Sequence, residues 1–362
     1  MDTYVLGLAL SPPHAALRSQ RTEEMAFETV RAALASAGVE RSAIDHVTLA
    51  TSDEMDGRSI SSMLMAMPGG AYLKDELRVT DSGLTGLVMG ALRVASGRFQ
   101  LGVVVSWNHT SQIDVDALTR MRAEPFVLRP IGLNGVIADG LFAGAVQHRL
   151  GLDEAAVVER IAARRRQAAR NPRALQRAAD GAGDDAPLAW PLRRGHSAPA
   201  SDGCVAFVLA SGQWRAAHPG HRPLARISGV ASAIDSYRLG GERLGGMALF
   251  DRALDEVLKR SDRSAADAID VAEIEAPTGW HDLAIERHLA ERRVGALSPS
   301  GGVWAQNPLF CSGLVNAAEA ALQVAGRAGD VQVPRARFAV AHGSHGYAQQ
   351  CQTFVAFERV AA

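Results

Sequence analysis

Leu77-Arg78-Val79-Thr80-Asp81-Ser82-Gly83-Leu84-Thr85-Gly86 passes from a strand, Leu77 to Thr80, through a polar pair into a helix that the apolar spacing carries from Gly83 to Ala95. Ser96-Gly97 stops that helix, and the apolar run Leu101-Gly102-Val103-Val104-Val105 follows at once as a second strand. A helix held between two strands at this spacing is a β-α-β unit, the signature of a layered α/β protein. Upstream, Tyr4 to Leu10 reads as a buried strand, Glu23 to Ala37 as a helix stopped by Gly38, and Ile44 to Ala50 as another strand. Cys204 to Ala210 closes this first half, after the turn Ser201-Asp202-Gly203.

Beyond the Pro-rich segment His218 to Pro223 the pattern restarts, with strand Ala225 to Ala231, helix Met247 to Arg260 and strand Ala272 to Ala276. Helix Leu314 to Ala325 and strands Arg337 to Ala341 and Thr353 to Phe357 complete it. The organisation predicted is therefore two α/β halves in tandem, residues 1–215 and 224–362, without a visible sequence repeat. Within the first half, about 118–200 changes character: Arg, Ala and Pro dominate, and Arg164-Arg165-Arg166 and Asn171-Pro172 interrupt or cap helices. This region is expected to be an insertion folded over one end of the sheet.

The 362 residues, 47% of them hydrophobic, exceed what one small core needs. A net charge of -1 gives no general reason to expect nucleic acid or an anionic membrane as partner, which leaves small molecules and proteins. Lys74 and Lys259 are the only lysines, so arginine supplies almost all the positive charge. Cys204, Cys311 and Cys351 are too few and too widely spaced for a disulfide framework or a zinc site, so no metal is expected. With neither a basic leader nor an apolar stretch of roughly 18 residues, the expected location is the cytoplasm.

Several segments, taken in order, resemble the thiolase superfamily, in particular the branch of sterol-carrier-type thiolases and the thiolase-like subunit of phloroglucinol acetyltransferases. Asp81-Ser82-Gly83 stands where that family has its reactive cysteine at the start of a buried helix. His148-Arg149-Leu150-Gly151 with Asn171-Pro172 resembles its insertion, Ser201-Asp202-Gly203-Cys204 its S-D-G-A turn, and Ser298-Pro299-Ser300-Gly301-Gly302 its N-P-S-G-G turn. Asn307-Pro308-Leu309-Phe310-Cys311-Ser312-Gly313 occupies the place of H-P-x-G-A-T-G, with Glu319 to Gln323 matching behind it. Ala341-His342-Gly343-Ser344-His345-Gly346 occupies the C-terminal catalytic loop. The resemblance implies a five-layered α-β-α-β-α subunit built of two duplicated halves, usually a homodimer, with acyl-CoA chemistry between the halves. It also implies secondary metabolism, no permanently bound cofactor, a CoA thioester as substrate, small-molecule acyl donor and acceptor, and a small OB-fold zinc-ribbon partner subunit.

The departures fall on the chemistry. A helix N-terminus lowers a thiol's pKa enough to supply thiolate, but a serine hydroxyl needs a positioned general base. His342 is the base that the resemblance places opposite Ser82, with Ser344 able to orient it; alternatively Ser82 simply caps its helix. Asn307 can donate a hydrogen bond to an oxyanion but cannot shuttle a proton, or it is a turn residue before Pro308. Tyr347 could handle a β-hydroxyl proton, as tyrosine is thought to do in a retro-aldolase branch of the family, or be a buried aromatic with its hydroxyl satisfied. His345, His148 and His109 admit the same two readings. Cys311 falls inside a turn that faces the family's site but lacks a neighbouring base, and Cys204 and Cys351 lie in core strand patterns. Arg164 to Arg166, Arg170, Arg193 and Arg194 could hold CoA or phosphopantetheine phosphates, or form a solvated face.

Three functions are compatible with these residues. The first is a thiolase-like acyltransferase that forms or cleaves a C–C or acyl bond, using Ser82, His342 as base and Asn307 as oxyanion donor. The second is a catalytically silent thiolase-fold subunit of a larger complex. The third is a retro-aldolase acting on a CoA thioester, which needs no nucleophile.

Overall fold

The computed structural model describes residues 2–58, 60–175 and 185–360. The first half contributes β1 (Thr3–Leu10), β2 (His46–Ala50), β3 (Asp75–Val79), β4 (Leu101–Asn108), a small ribbon of β5 (Pro187–Ala189) and β6 (Leu192–Arg193), and β7 (Gly203–Ser211). The second contributes β8 (Ala225–Ile234), β9 (Ile269–Glu273), β10 (Val294–Leu297), β11 (Phe338–His345) and β12 (Cys351–Glu358). Ten of these form one sheet in the order β10-β9-β11-β12-β8-β1-β7-β4-β2-β3. Numbered one to five within each half, both sets of five strands follow the order 3-2-4-5-1. The duplication predicted from element order is therefore present as topology. The seam is short, since β1 and β8 pair only over Thr3–Val5 and Ala225–Ile227.

The layers follow from what each face buries. Helix Thr22–Ala37 covers one face of the first-half strands, where Met25, Val30 and Ala33 meet Leu49, Val105 and Val208. The opposite face, with Val104, Phe207 and Leu209, packs on helices Gly83–Ala95 and Ser312–Ala325, whose far side meets Val271, Ala339, Ala341 and Val355 of the second-half strands. The other face of those strands, with Val340, Phe354 and Ala356, carries helices Ala248–Arg260 and Gly279–Leu289. This is the expected α-β-α-β-α arrangement.

The two central helices have little room. In helix Ser312–Ala325 every residue but Leu322 and Ala325 is buried, and its polar residues Ser312, Asn316, Glu319 and Gln323 are each hydrogen-bonded, as an interior helix requires. Glycine lets the first central helix approach its sheet: a Cβ at Gly86 would lie 2.4 Å from Ala50 Cβ, and one at Gly90 2.3 Å from Val104 Cγ2. Leu84 and Leu87, both fully buried, each contribute about 2 kcal/mol by leaving water.

Some local expectations are corrected. The strand expected over Ala272–Ala276 is β9, Ile269–Glu273; the Ser298 hydroxyl caps the Ile274 N–H, and Glu275 lies beyond the ladder. Helix Gly279–Leu289 escaped notice because Gly279 to Ile285 are buried without a break, which hides the helical period. The segment read as an insertion contains helices Gly135–Leu150 and Glu154–Ala168; its residues 176–184 lie outside the described residues. Phe142, Val157 and Ile161 seat the two helices on Leu283 and Trp280, so they thicken the outer layer of the second half. Among the described residues, no helix is long and apolar enough to cross a membrane.

Candidate active site

The two central helices begin side by side, and the site is built around that junction. Ser82 is extended (φ -160°, ψ 163°) and is the N-cap of helix Gly83–Ala95. Its Oγ accepts the Thr85 N–H at 3.2 Å and lies 3.0 Å from Thr85 Oγ1. The Gly83 N–H donates to the Phe310 carbonyl at 2.8 Å, tying this helix start to the Asn307–Cys311 turn that opens the second central helix. A Cβ at Gly83 would sit 2.9 Å from Ser106 Oγ and 3.2 Å from Cys311 Cα, so the approach requires glycine.

His342 does not face this junction. A Cβ at Gly343 would meet Leu84 Cβ at 3.0 Å and Gly313 Cα at 3.1 Å, so Gly343 looks onto the central helices. Successive residues of a strand point to opposite faces, and His342 and Ser344 therefore point outward. The His342 ring packs 4.7 Å from Phe354 and 5.3 Å from Phe250, in the layer of helix Ala248–Arg260. Its Nε2 lies 2.5 Å from Gln352 Oε1, which assigns the proton to Nε2, and Nδ1 has no partner. Burial pulls its pKa down to about 4, although the bond to Gln352 opposes the shift. The expected Ser82–His342 dyad is thus corrected: the hydroxyl is engaged by Thr85 and the imidazole lies on the other face of β11. Ser344 does not orient His342 either: among the described residues the imidazole bonds only Gln352, and the Ser344 backbone N–H donates to Glu275 Oε2 at 3.2 Å.

Asn307 is drawn into the framework. Its Nδ2 donates to the Ala198 carbonyl at 3.2 Å, its Oδ1 accepts the Ser312 hydroxyl at 2.8 Å, and its N–H donates to Ser201 Oγ at 2.9 Å. One of its two amide hydrogens is therefore committed to the Ala198 carbonyl, while its backbone N–H holds Ser201 and its Oδ1 holds Ser312 at the start of the second central helix. Cys311, fully buried, receives the Ser106 hydroxyl at 3.2 Å, and burial pushes its thiol far above the ordinary range. It is a core residue, as is Cys204, pushed up to about 12 by burial.

The remaining candidates separate in the same way. The Tyr347 hydroxyl donates to the Thr119 carbonyl, which satisfies it. His109 is buried between Thr22 Oγ1 at 2.7 Å and the Leu17 carbonyl at 3.2 Å, whereas His148 is exposed. Arg164, expected on a solvated face or a phosphate, is only 2% exposed and grips Asp282 through Nε at 2.6 Å and Nη2 at 2.9 Å. Arg165 lies over the Trp304 ring, Arg170 donates to the Asp330 carbonyl, and Arg193 pairs with Glu154.

Two groups do face the junction. His345, two residues after Gly343, shares its side of β11 and pairs across the ladder with Cys351. Its Nδ1 has no partner; burial lowers its pKa, the Asp81 carboxylate opposing and Arg122 adding to the shift. Glu275, just past β9, brings Oε2 to within 3.1 Å of where a Gly313 Cβ would stand. Withdrawal from water pushes its carboxyl up to about 8, and the Ser344 N–H offsets only part of this. Glu275 was missed in the sequence, where the available signal was two acidic residues, Glu273 and Glu275, inside the otherwise apolar run Val271 to Ala276.

Residues 9–186 match the thiolase N-terminal domain family, and residues 280–358 match the thiolase C-terminal domain-like family, together well over half of the chain. The chain belongs to the thiolase superfamily. The thiolase fold extends over the whole of it in two solved structures. The Ltp2-ChsH2(DUF35) aldolase superposes with a TM-score of 0.75 at 19% identity, covering 98% of this chain and 97% of that one. The acetyl-CoA acetyltransferase from Syntrophomonas wolfei gives a TM-score of 0.75 at 15% identity, covering 99% of each chain. No curated protein matches the chain by sequence. In this thiolase-superfamily site the departures seen in sequence become geometric: Ser82 caps a helix, Asn307 braces a turn, and the acid and the imidazole at the helix junction are Glu275 and His345.

Proposed function

We propose that this thiolase-superfamily chain makes or breaks a carbon–carbon bond beside an acyl-thioester carbonyl without forming an acyl-serine, in the manner of an aldolase. The observation that carries the reading is the engagement of Ser82. Its hydroxyl accepts the Thr85 N–H and pairs with the Thr85 hydroxyl, while His342 is turned to the opposite face of its strand. A serine without a bonded general base is a poor nucleophile at neutral pH. The N-termini of two buried helices still supply positive potential for an enolate oxygen, which is the charge that aldol and Claisen chemistry share.

The fold shared with an aldolase is consistent with this chemistry, and the name of that neighbour couples it to a DUF35 component, which supports a partner subunit here too. The substrate in this reading is a β-hydroxyacyl-CoA, cleaved to an acyl-CoA and a ketone or aldehyde, or the reverse. Intact-protein mass spectrometry with short acyl-CoAs tests it, alongside cleavage assays on β-hydroxyacyl-CoAs. We expect cleavage without an acyl adduct. An adduct that disappears in Ser82→Ala would restore the acyl-serine acyltransferase, and the absence of both would favour the catalytically silent subunit.

A further inference from the structure

We propose that Glu275 and His345 are the catalytic acid–base pair of this site, Glu275 exchanging a proton with Cα of the acyl thioester and His345 with the β-hydroxyl. The inference rests on the aldolase-type reading above. Both side chains border the junction of the central helices: Glu275 Oε2 lies 3.1 Å from a Gly313 Cβ position, and His345 shares the face on which a Gly343 Cβ would lie 3.0 Å from Leu84 Cβ. The bond from the Ser344 N–H to Glu275 Oε2, 3.2 Å, links the two, because Ser344 directly precedes His345. Glycine at 313 and 343 lets the helix start and the strand pack backbone to backbone, a Cβ at Gly313 lying 2.9 Å from Gly343 Cα, and this brings the two groups to the same junction.

Their environments push the two groups apart in the useful direction. Burial raises the Glu275 carboxyl to about 8, so it is protonated at neutral pH; burial lowers His345, so its imidazole is neutral. Neighbouring sites tuned in opposite senses supply an acid and a base at one pH. The charged groups acting on His345 are Asp81, which favours its protonation, and Arg122, which disfavours it; Cys351 faces it across the ladder.

In cleavage, His345 takes the β-hydroxyl proton, the C–O bond becomes a carbonyl, and the Cα–Cβ electron pair moves into the thioester as an enolate. Glu275 then delivers its proton to Cα, leaving carboxylate and imidazolium, and solvent returns a proton from one to the other. In the reverse direction the Glu275 carboxylate removes the Cα proton.

The test uses the full chain with propanoyl-CoA in D₂O, following deuterium entry at C2 by mass spectrometry, and a β-hydroxyacyl-CoA cleavage assay in parallel. We expect exchange to fall by about 10²-fold or more in Glu275→Gln, the scale of a lost general acid–base group, and to survive partly in Glu275→Asp. His345→Asn should keep exchange but lose cleavage. Wild-type exchange should rise with pH, pass half its plateau near 8 and level off above it, as the carboxylate forms, and this profile should flatten in Glu275→Gln. Exchange undiminished in folded Glu275→Gln, or wild-type cleavage without wild-type exchange, overturns the assignment of Glu275 alone. Absence of both exchange and cleavage in the wild type overturns the aldolase-type reading and the pair with it.

Discussion

Replacing Ser82 by alanine separates a cap from a nucleophile. The hydroxyl makes one bond to a helix N–H at 3.2 Å and one to the Thr85 hydroxyl at 3.0 Å, and among the described residues no histidine is hydrogen-bonded to it. Losing an N-cap serine costs about 1 kcal/mol, within a range of about 0.5–2. Because the site is buried and the change removes one oxygen, no cavity large enough to add a second penalty is opened. The expected result is a urea midpoint lowered by about that free energy at an unchanged m-value. Turnover of a β-hydroxyacyl-CoA, normalised to folded protein, should stay within about tenfold of wild type, since one tenfold step is about 1.4 kcal/mol of barrier. Removal of a true nucleophile from a nucleophile–base unit costs about 10⁶ in kcat. A folded Ser82→Ala enzyme slowed by about a thousandfold or more would therefore refute the cap reasoning, since cap loss cannot supply a barrier of about 4 kcal/mol.

His342→Leu should keep its activity per folded molecule while losing about 1–3 kcal/mol, because Gln352 Oε1 is left without its partner in the core; a thousandfold rate loss at full folding would return His342 to the chemistry. Arg164→Met should destabilise by about 1–3 kcal/mol in a denaturant titration, since Asp282 loses the charge-assisted bonds of Arg164 but keeps Arg160 Nε at 2.9 Å. A raised KM for an acyl-CoA at unchanged stability would instead make Arg164 a phosphate ligand. Glu273, wholly buried and bonded by the Ser300 N–H and hydroxyl, has its carboxyl raised from 4.5 to about 8 by burial, with Glu319 adding to the shift. Its raised folded-state pKa means a contribution fully present below 4.5 and lost as pH rises through about 8. Glu273→Gln should accordingly remove up to about 1.4 kcal/mol per pH unit of stability decline across that window. Urea midpoints of the two proteins that run parallel from pH 5 to 8 would contradict this.

The junction at residues 77–86 was readable because its determinants are local. A short apolar strand, a polar pair and a glycine open a helix wherever they occur, and helix Gly83–Ala95 has the limits that the spacing predicts. His342 was not readable in this way. On a half-exposed strand, alternation tells which side chains face inward, but Phe338-Ala339-Val340-Ala341-His342-Gly343 is buried on both faces. Without alternation, nothing local distinguishes the face of His342 from that of His345. The arginine triplet misled for a related reason: Arg164 looks like its neighbours in sequence, and only the placement of Asp282 on helix Gly279–Leu289 turns it inward.

From the sequence alone came the layered α/β class, the tandem halves and the helix that begins after Ser82, since periodicity, glycine stops and capping residues act over a few positions. Tertiary structure decided which histidine meets the helix junction, that Glu275 holds its proton near neutral pH, and that the Ser82 hydroxyl is occupied. Strand facing and loss of water both depend on residues brought together from distant parts of the chain, and no short stretch of sequence contains them.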